Sequence, residues 1–165
     1  MQEDNINIDE ILKRSALSES FDSINRVGII GAGVMGQGIA QAVAANGIEV
    51  IIVERSSQRI DYAKSSLSDN IDNEIKRWAM TASEKKAIMS RISWVTDIKL
   101  VAGCDLIVEA VDEDFELKKK IFLDIDKIAK KETIFVSNTS TLSLTKLAEC
   151  TGRPDKVIGM HFLNP

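Results

Sequence analysis

Residues 27 to 36 read Val27-Gly28-Ile29-Ile30-Gly31-Ala32-Gly33-Val34-Met35-Gly36. An apolar run of strand type stops at Gly31, and small residues with helical spacing follow Gly36. The glycines have the G-x-G-x-x-G spacing between a strand and a helix, which is typical of a dinucleotide-binding turn. Gly31 would permit the tight turn, Gly33 would let a pyrophosphate approach the backbone, and Gly36 would let the helix pack closely on the strand. The free N–H groups at the helix start would then face the phosphates.

The next strand supplies a candidate for the ribose contact. Residues 48 to 53 form a second apolar run that ends at Glu54. An acidic residue about 20 positions beyond the glycines is where a ribose-binding carboxylate is expected. Such a carboxylate would repel a 2′-phosphate and therefore favours NAD over NADP, although it could also be an ordinary solvated acid. Arg55 and Arg59 keep NADP open as an alternative, because a guanidinium group could meet that phosphate.

Strands and helices alternate from Arg26 onward, which predicts an α/β fold with a doubly wound parallel sheet, a Rossmann-type domain. We assign residues 26–165 to this dinucleotide-binding domain and residues 1–25 to a polar N-terminal extension. After the first strand, further strands are predicted at residues 48–53, 92–95, 106–111, 133–137 and 157–161. Helices are predicted at residues 33–45, 57–79, 113–131 and 142–150, with another that starts at a Thr81–Glu84 capping box.

Ligands of such sheets bind beyond the carboxyl ends of the strands. That edge receives the glycine turn, Glu54, and the segments 109–113, 138–140 and 161–164. Asp112 and Asp114 are interpreted as helix N-terminal acids, and the hydroxyl-rich run 137–141 as either a capping loop or part of a site. His161, the only histidine, follows the last strand at this edge. Its imidazole could relay the proton of an alcohol beside a redox cofactor.

Composition excludes several classes of protein. The chain of 165 residues is 44% hydrophobic and carries a net charge of −4, which gives no general attraction for nucleic acid or anionic membranes. No apolar run approaches the ~20 residues of a membrane span, and residues 1–25 lack the apolar core of a signal peptide. Cys104 and Cys150 are too few for a disulfide framework and show no metal-binding spacing, and Cys104 reads as a buried thiol. We therefore expect the protein to lie in the cytoplasm or another reducing compartment.

Four segments together resemble the NAD-binding domain of the 3-hydroxyacyl-CoA dehydrogenase family, and most closely its bacterial 3-hydroxybutyryl-CoA members. They are Gly31-Ala32-Gly33-Val34-Met35-Gly36, Val108-Glu109-Ala110-Val111-Asp112-Glu113, Ser137-Asn138-Thr139-Ser140-Thr141-Leu142-Ser143, and the stretch from Arg153 to Pro165 that contains His161-Phe162-Leu163-Asn164-Pro165. The resemblance covers about residues 26–165. Glu54 replaces the usual Asp and Leu163 the usual Phe.

The resemblance implies the oxidation of an L-3-hydroxyacyl-CoA to a 3-oxoacyl-CoA, with hydride passing to NAD. In that role His161 is the base that takes the hydroxyl proton, and Ser140 hydrogen-bonds near the reacting oxygen and the nicotinamide. The implied cofactor contacts are Gly31, Ala32, Gly33, Val34, Met35, Gly36, Glu54, Glu113, Lys118, Ser140 and Asn164. Asn70 and Arg77 fall where the family often has Ser and Lys in contact with coenzyme A; a cation at Arg77 still suits a phosphate, whereas Asn70 leaves that contact open.

The family continues past this motif with a glutamate that orients the histidine, and with a helical C-terminal domain that supplies most of a homodimer interface. Both lie beyond Pro165, where this chain stops. We therefore expect this polypeptide to bind NAD but to turn over poorly, and the full-length form to be a homodimer. Two alternatives stay open. One is a non-catalytic NAD-binding module, and the other is a dehydrogenase of a free 3-hydroxy acid or sugar acid.

Overall fold

The structure is a computed structural model that describes residues 24–77 and 80–162. Nearly all of the predicted N-terminal extension, residues 1–25, lies outside the described residues. The predicted cofactor contact Asn164 also lies outside them, as do Leu163 and the end of the helix predicted at residues 57–79.

Strands and helices alternate along the described residues, as the sequence pattern predicts. The strands are β1 Arg26–Ile30, β2 Glu49–Val53, β3 Ile92–Val95, β4 Leu106–Glu109, β5 Ile134–Ser137 and β6 Val157–Gly159. The α-helices are α1 Val34–Ala45, α2 Ser57–Lys76, α3 Ala82–Arg91, α4 Phe115–Ile128 and α5 Leu144–Glu149. Short 3₁₀ turns cover Ile98–Val101 and Pro154–Lys156.

All six strands form one parallel sheet in the order β3-β2-β1-β4-β5-β6. This is the strand order of a doubly wound dinucleotide-binding fold, so the predicted fold class is confirmed. The order reverses between β1 and β4, which leaves a crevice at their carboxyl ends. The register pairs Ile30 with both Val53 and Glu109, and Glu109 with Ser137. Residues that follow these strands therefore lie side by side along one edge.

The core has two halves, one on each face of the sheet. Ile29, Ile52 and Val108 pack under α1, α2 and α3, while Ile107 and Phe135 pack under α4 and α5. Cys104 lies in the second half as a free, buried thiol, as predicted, and burial raises its pKa to about 11. No helix among residues 24–77 and 80–162 has the length and apolar character needed to span a membrane.

Several predicted boundaries are wrong by two residues because side chains intercept backbone groups. β4 ends at Glu109 instead of Val111, since the N–H of Val111 donates to the carboxylate of Glu109 at 2.8 Å. α4 begins at Phe115 instead of Glu113 because the carboxylate of Asp114 caps the helix through the N–H of Leu117. The N-terminal role expected of Asp114 is thereby confirmed. α5 likewise begins after a cap at Ser143, and β6 ends at Gly159.

The start of α3 is fixed as the sequence predicts. The hydroxyl of Thr81 accepts from the N–H of Glu84, and the carboxylate of Glu84 accepts from the N–H of Thr81. This capping box satisfies two donors that the first turn of a helix otherwise leaves free. It lets α3 begin soon after α2, and β3 then follows α3 without a loop.

Gly36→Ala and Gly38→Ala form a matched pair on α1. A Cβ on Gly36 would lie 2.0 Å from the carbonyl oxygen of Gly31, so we expect the free energy of unfolding to fall by about 1–3 kcal/mol, the cost of overpacking. A Cβ on Gly38 would meet nothing within 4 Å. There we expect stability to rise by about 0.5–1 kcal/mol, since alanine favours a helix interior. Urea unfolding measures both, and equal stabilities would contradict the close contact.

Candidate cofactor and active site

The glycine turn after β1 has the geometry of a phosphate cradle. Gly31 has a φ of +102°, and a Cβ there would lie 2.7 Å from the carbonyl oxygen of Ala110. Gly36 contacts the backbone of Gly31 so closely that a Cβ would stand 2.0 Å from its oxygen. Gly33, the N-cap of α1, faces open space and offers no side chain to cap the helix. The first N–H groups of α1 are therefore accessible to an anion.

A cavity of about 240 Å³ opens beside this turn, between the ends of β1, β2 and β4. Its walls include Gly31, Ala32 and Gly33 on one side and Val111 and Asp112 on another. Glu54, Arg55 and Arg59 close its far end. An apolar cleft that joins a phosphate cradle to a carboxylate has the components of an adenosine site. The residues present thus fit a dinucleotide.

Glu54 is mostly buried at the rim of this cavity, and its carboxylate is held in place. One oxygen accepts from Arg59 Nε at 2.6 Å and the other from the N–H of Arg55 at 3.0 Å. The same hydrogen bond raises the pKa of Arg59. Arg55 has no side-chain hydrogen bond or ion pair within the part of the chain that the structure describes. Arg59, one of the two arginines that could meet the 2′-phosphate of NADP, is thus paired with Glu54.

The other half of the edge contains a buried polar network centred on Glu109 and Lys118. Glu109 Oε1 accepts from Lys118 Nζ at 2.6 Å, and Glu109 Oε2 accepts from the hydroxyl of Ser137 at 2.7 Å. Both charged side chains are fully buried. Lys118 Nζ also donates to the carbonyl oxygen of Val111 and lies 3.2 Å from a carboxylate oxygen of Glu113. The ammonium group of Lys118 thus has three oxygen partners inside the protein.

Glu113 accepts several hydrogen bonds from the loop after β5. Its Oε1 accepts from the N–H groups of Ser140 and Thr141 at 2.9 and 3.0 Å, and from the hydroxyls of Thr139 and Thr141. Desolvation by itself raises the pKa of Glu113, but hydrogen bonds from this loop and from Lys118 outweigh it and lower the pKa to about 2. The carboxylate is therefore ionised at neutral pH.

The loop that Glu113 holds carries Ser140 toward the histidine. Ser140 Oγ lies 3.4 Å from His161 Nδ1, within hydrogen-bonding distance. The backbone beside the imidazole is anchored twice, since the N–H of Met160 donates to Ser137 and the N–H of Phe162 donates to the side chain of Asn138. The imidazole itself is exposed to solvent. The edge of the sheet thus brings together a hydroxyl and an imidazole that can exchange protons with a ligand.

A groove of about 820 Å³ runs between α1 and α2 on the same side of the molecule. Asn70 and Arg77, the residues matched to coenzyme A contacts, both line it. Val34, Met35 and Phe162 line its other wall, which places the groove next to the glycine turn and the histidine.

The sequence pattern places Glu109 and Asn138 at the ligand edge but gives them, like Ser137, no individual role. The indication for Glu109 is a charged residue at the end of an otherwise apolar strand. The ammonium group of Lys118, a residue implied to contact the cofactor, faces Glu109, Glu113 and Val111 in the structure. Its contact with the cofactor stays a prediction.

The comparisons with known proteins agree with this geometry. The sequence profile of the family "3-hydroxyacyl-CoA dehydrogenase, NAD binding domain" matches residues 26–165. The chain belongs to this family.

As a member of the 3-hydroxyacyl-CoA dehydrogenase NAD-binding domains, the chain has an NAD site, as predicted. It is 39% identical over 140 residues to a 3-hydroxybutyryl-CoA dehydrogenase of Clostridioides difficile, covering 85% of this chain and 50% of that protein. It is 37% identical over 142 residues to one from Bradyrhizobium diazoefficiens, covering 86% and 48%. The structure of (S)-3-hydroxybutyryl-CoA dehydrogenase from Ralstonia eutropha superposes with a TM-score of 0.84 at 41% identity, covering 87% and 50%. The chain thus spans about half the length of these relatives.

Glu54→Ser is expected to change cofactor preference. The substitution removes the carboxylate that would repel a 2′-phosphate and releases Arg59 beside Arg55. We expect the ratio of NADH to NADPH affinity to fall about 10- to 100-fold, the size of one charge-assisted contact. Calorimetric titrations with both cofactors measure this ratio. Glu49→Ser is the control, since Glu49 also pairs with an arginine but at the opposite end of β2; an equal change there would contradict the assignment.

The pKa of Glu113 predicts a specific acid sensitivity. Because the pKa is lowered from 4.5 to about 2 on folding, the ionised carboxylate stabilises the fold above pH 4.5, and this stabilisation is lost as the pH falls toward 2. Glu113→Gln should therefore show a smaller loss of stability across that interval than the wild type does. Urea unfolding at a series of pH values measures it. Glu116→Gln, at an exposed position in the first turn of α4, should follow the wild-type curve.

Proposed function

We propose that the chain is the cofactor-binding portion of an NAD-dependent 3-hydroxyacyl-CoA dehydrogenase. Its reaction would be the oxidation of an L-3-hydroxyacyl-CoA, such as 3-hydroxybutyryl-CoA, to the 3-oxoacyl-CoA. The observation that carries this proposal is the contact between Ser140 and His161 at the same sheet edge as the glycine turn. The names of the relatives support the substrate class.

The proposal divides the cofactor between the two halves of the edge. The N–H groups after Gly33 would bind the pyrophosphate, and Glu54 would accept the hydroxyls of the adenosine ribose. Glu113 and Asn164 would serve the nicotinamide side, and Lys118 would serve it by holding Glu113 in place. When bound, the nicotinamide supplies the acceptor for hydride.

His161 would act as the general base. Its exposed imidazole can take the substrate's hydroxyl proton at a ring nitrogen and release it to water. The hydroxyl of Ser140 would orient both the imidazole and the reacting oxygen. No carboxylate in the described residues contacts this imidazole, so the imidazolium formed would lack the usual stabilising partner. We therefore expect slow turnover by this chain alone.

The groove between α1 and α2 would receive the coenzyme A portion of the substrate. Arg77, the C-cap residue of α2, offers a cation for a phosphate, and Asn70 on α2 offers a polar contact. We further propose that the full-length protein is a homodimer and that it works in the cytoplasm. The two cysteines, both free thiols, support a reducing compartment.

Gly33→Val tests the cofactor site. A Cβ at Gly33 meets no protein atom within 4 Å and φ is −67°, so the variant should fold normally. The valine side chain would nevertheless occupy the path of the pyrophosphate. We expect NADH affinity, measured by calorimetry, to fall at least about tenfold. Gly38→Ala on the same helix is the control, and unchanged binding by Gly33→Val would overturn the site.

His161→Gln tests the reaction. The assay is the reduction of acetoacetyl-CoA by NADH, with this chain and with a form extended past Pro165 where the reading frame continues. We expect activity to fall by about 10²–10⁴, the usual contribution of general acid–base catalysis, with NADH binding retained. Activity that survives the substitution would overturn the mechanism. NADH binding without activity in the extended form would favour a non-catalytic module.

A further inference from the structure

The pair formed by Glu109 and Lys118 takes no direct part in the chemistry of the proposed reaction. Both side chains are fully buried, one at the end of β4 and the other on the second turn of α4. A buried ion pair contributes little stability relative to apolar side chains of the same volume, because both ions lose their hydration. The remainder of β4 is apolar, as is usual for a strand inside a parallel sheet. Stability alone is therefore a weak reason for this pair.

Every partner of the pair lies at the functional edge. Glu109 accepts from Ser137 and from the N–H of Val111, and Lys118 donates to the carbonyl oxygen of Val111 and pairs with Glu113. The network therefore ties the ends of β4 and β5 to the start of α4. Among the side chains of this network, that of Glu113 is the most exposed, at 36%.

From Glu113 the network continues to the histidine. The carboxylate accepts hydrogen bonds from backbone N–H groups and from hydroxyls of the loop 139–141. In that loop, the hydroxyl of Ser140 lies 3.4 Å from His161 Nδ1. A carboxylate with two alternative rotamers would leave this loop without a fixed anchor. The ammonium group of Lys118, itself held by Glu109, selects one of them by contacting Glu113 Oε2 at 3.2 Å.

We propose that Glu109 and Lys118 are positioning residues that fix the carboxylate of Glu113, and through it the loop that sets the Ser140 hydroxyl against the imidazole of His161. Neither residue touches the reacting atoms in this proposal. The catalytic importance of this positioning rests on the function proposed above. The chain of contacts from Glu109 and Lys118 to His161 can itself be tested without measuring turnover.

A second ion pair on α4 provides a matched control. Asp126 pairs with Arg153 at 2.6 Å near the opposite end of the helix, and both side chains are largely buried. Their further partners are Gly152, carbonyl oxygens of α4 and the residues after it, and the ring of Phe135 in β5, which lies 4.9 Å from the guanidinium of Arg153. None of these belongs to the candidate site. Loss of this pair would disturb α4 without a direct effect on Ser140.

The test uses the single histidine of the chain. Its imidazole gives one set of nitrogen and proton resonances in NMR spectra, which respond to a hydrogen bond at Nδ1. Four folded proteins are compared at one pH: the wild type, Ser140→Ala as the reference for a lost contact, the double variant Glu109→Gln/Lys118→Met, and the control Asp126→Asn/Arg153→Met. The double variant removes both charges together, because one alone would leave an unpaired buried ion.

We expect the Glu109/Lys118 double variant to shift the imidazole resonances toward the Ser140→Ala positions, and the Asp126/Arg153 variant to keep the wild-type positions. Wild-type resonances in the Glu109/Lys118 variant would overturn the proposal. So would a Ser140→Ala spectrum identical to the wild type, since the hydroxyl would then make no contact to transmit. If the double variant does not fold, Ser137→Ala removes only one hydrogen bond to Glu109. It should shift the resonances less in the same direction, and no shift would overturn the proposal.

Cofactor binding separates this proposal from the proposed function. The double variant leaves the glycine turn and Glu54 intact, so ADP should bind as it does to the wild type while NADH affinity falls about tenfold. Equal losses for ADP and NADH would contradict a local positioning role. A wild-type chain that binds neither ligand would refute the proposed function, and the imidazole comparison would still decide the linkage.

Discussion

The first turn of α1 packs on the turn after β1 at a distance that excludes even a methyl group. Gly36 lies against the carbonyl oxygen of Gly31, and Gly31 in turn lies against the backbone of Ala110 after β4. This double contact places the N-terminus of α1 over the gap where the strand order reverses. Gly33 lies next to this contact, in open space. The free N–H groups at the start of α1 are therefore open to a ligand in the crevice. Steric exclusion of side chains at two positions thus fixes both the fold at its centre and the location of the anion site.

The neighbouring half of the edge is organised by charge instead of by steric exclusion. Ile30 and Glu109 are paired in register, so the glycine turn and the buried Glu109–Lys118 pair lie next to each other. The N–H of Ala110 donates to the carbonyl oxygen of Ile30 at 2.9 Å, and this backbone hydrogen bond connects the glycine turn with the ion pair. The glycine turn leaves space for phosphates, and the buried ion pair restricts the motion of the loop beside the histidine. Together they make a rigid boundary of the crevice, which a cofactor with one anionic and one reactive end would require.

Hydrophobic periodicity and the glycine spacing are sufficient to predict the strands, the helices and the tight glycine turn between β1 and α1. The end of β4 could not be predicted this way, because the carboxylate of Glu109 captures a backbone N–H that a hydropathy pattern leaves to the sheet. The burial of Lys118 was also missed, since a lysine on an amphipathic helix normally lies in water. The hydroxyl-rich run 137–141 predicts either a capping loop or part of a site, and its hydrogen bonds fit both interpretations. The hydroxyl of Thr139 accepts from the N–H of Leu142, while Ser140 faces His161.

We propose that one dinucleotide spans both halves of this edge, from the glycine turn to the histidine. An NMR titration of the chain with NADH tests this arrangement. We expect the amide resonances of residues 31–36, those around Glu54, those of the loop 139–141 and the imidazole resonances of His161 all to shift along one saturation curve. The amides around Asp126 and Arg153 should keep their positions. Shifts confined to the groove between α1 and α2, or a glycine turn that responds while His161 and the loop do not, would contradict it.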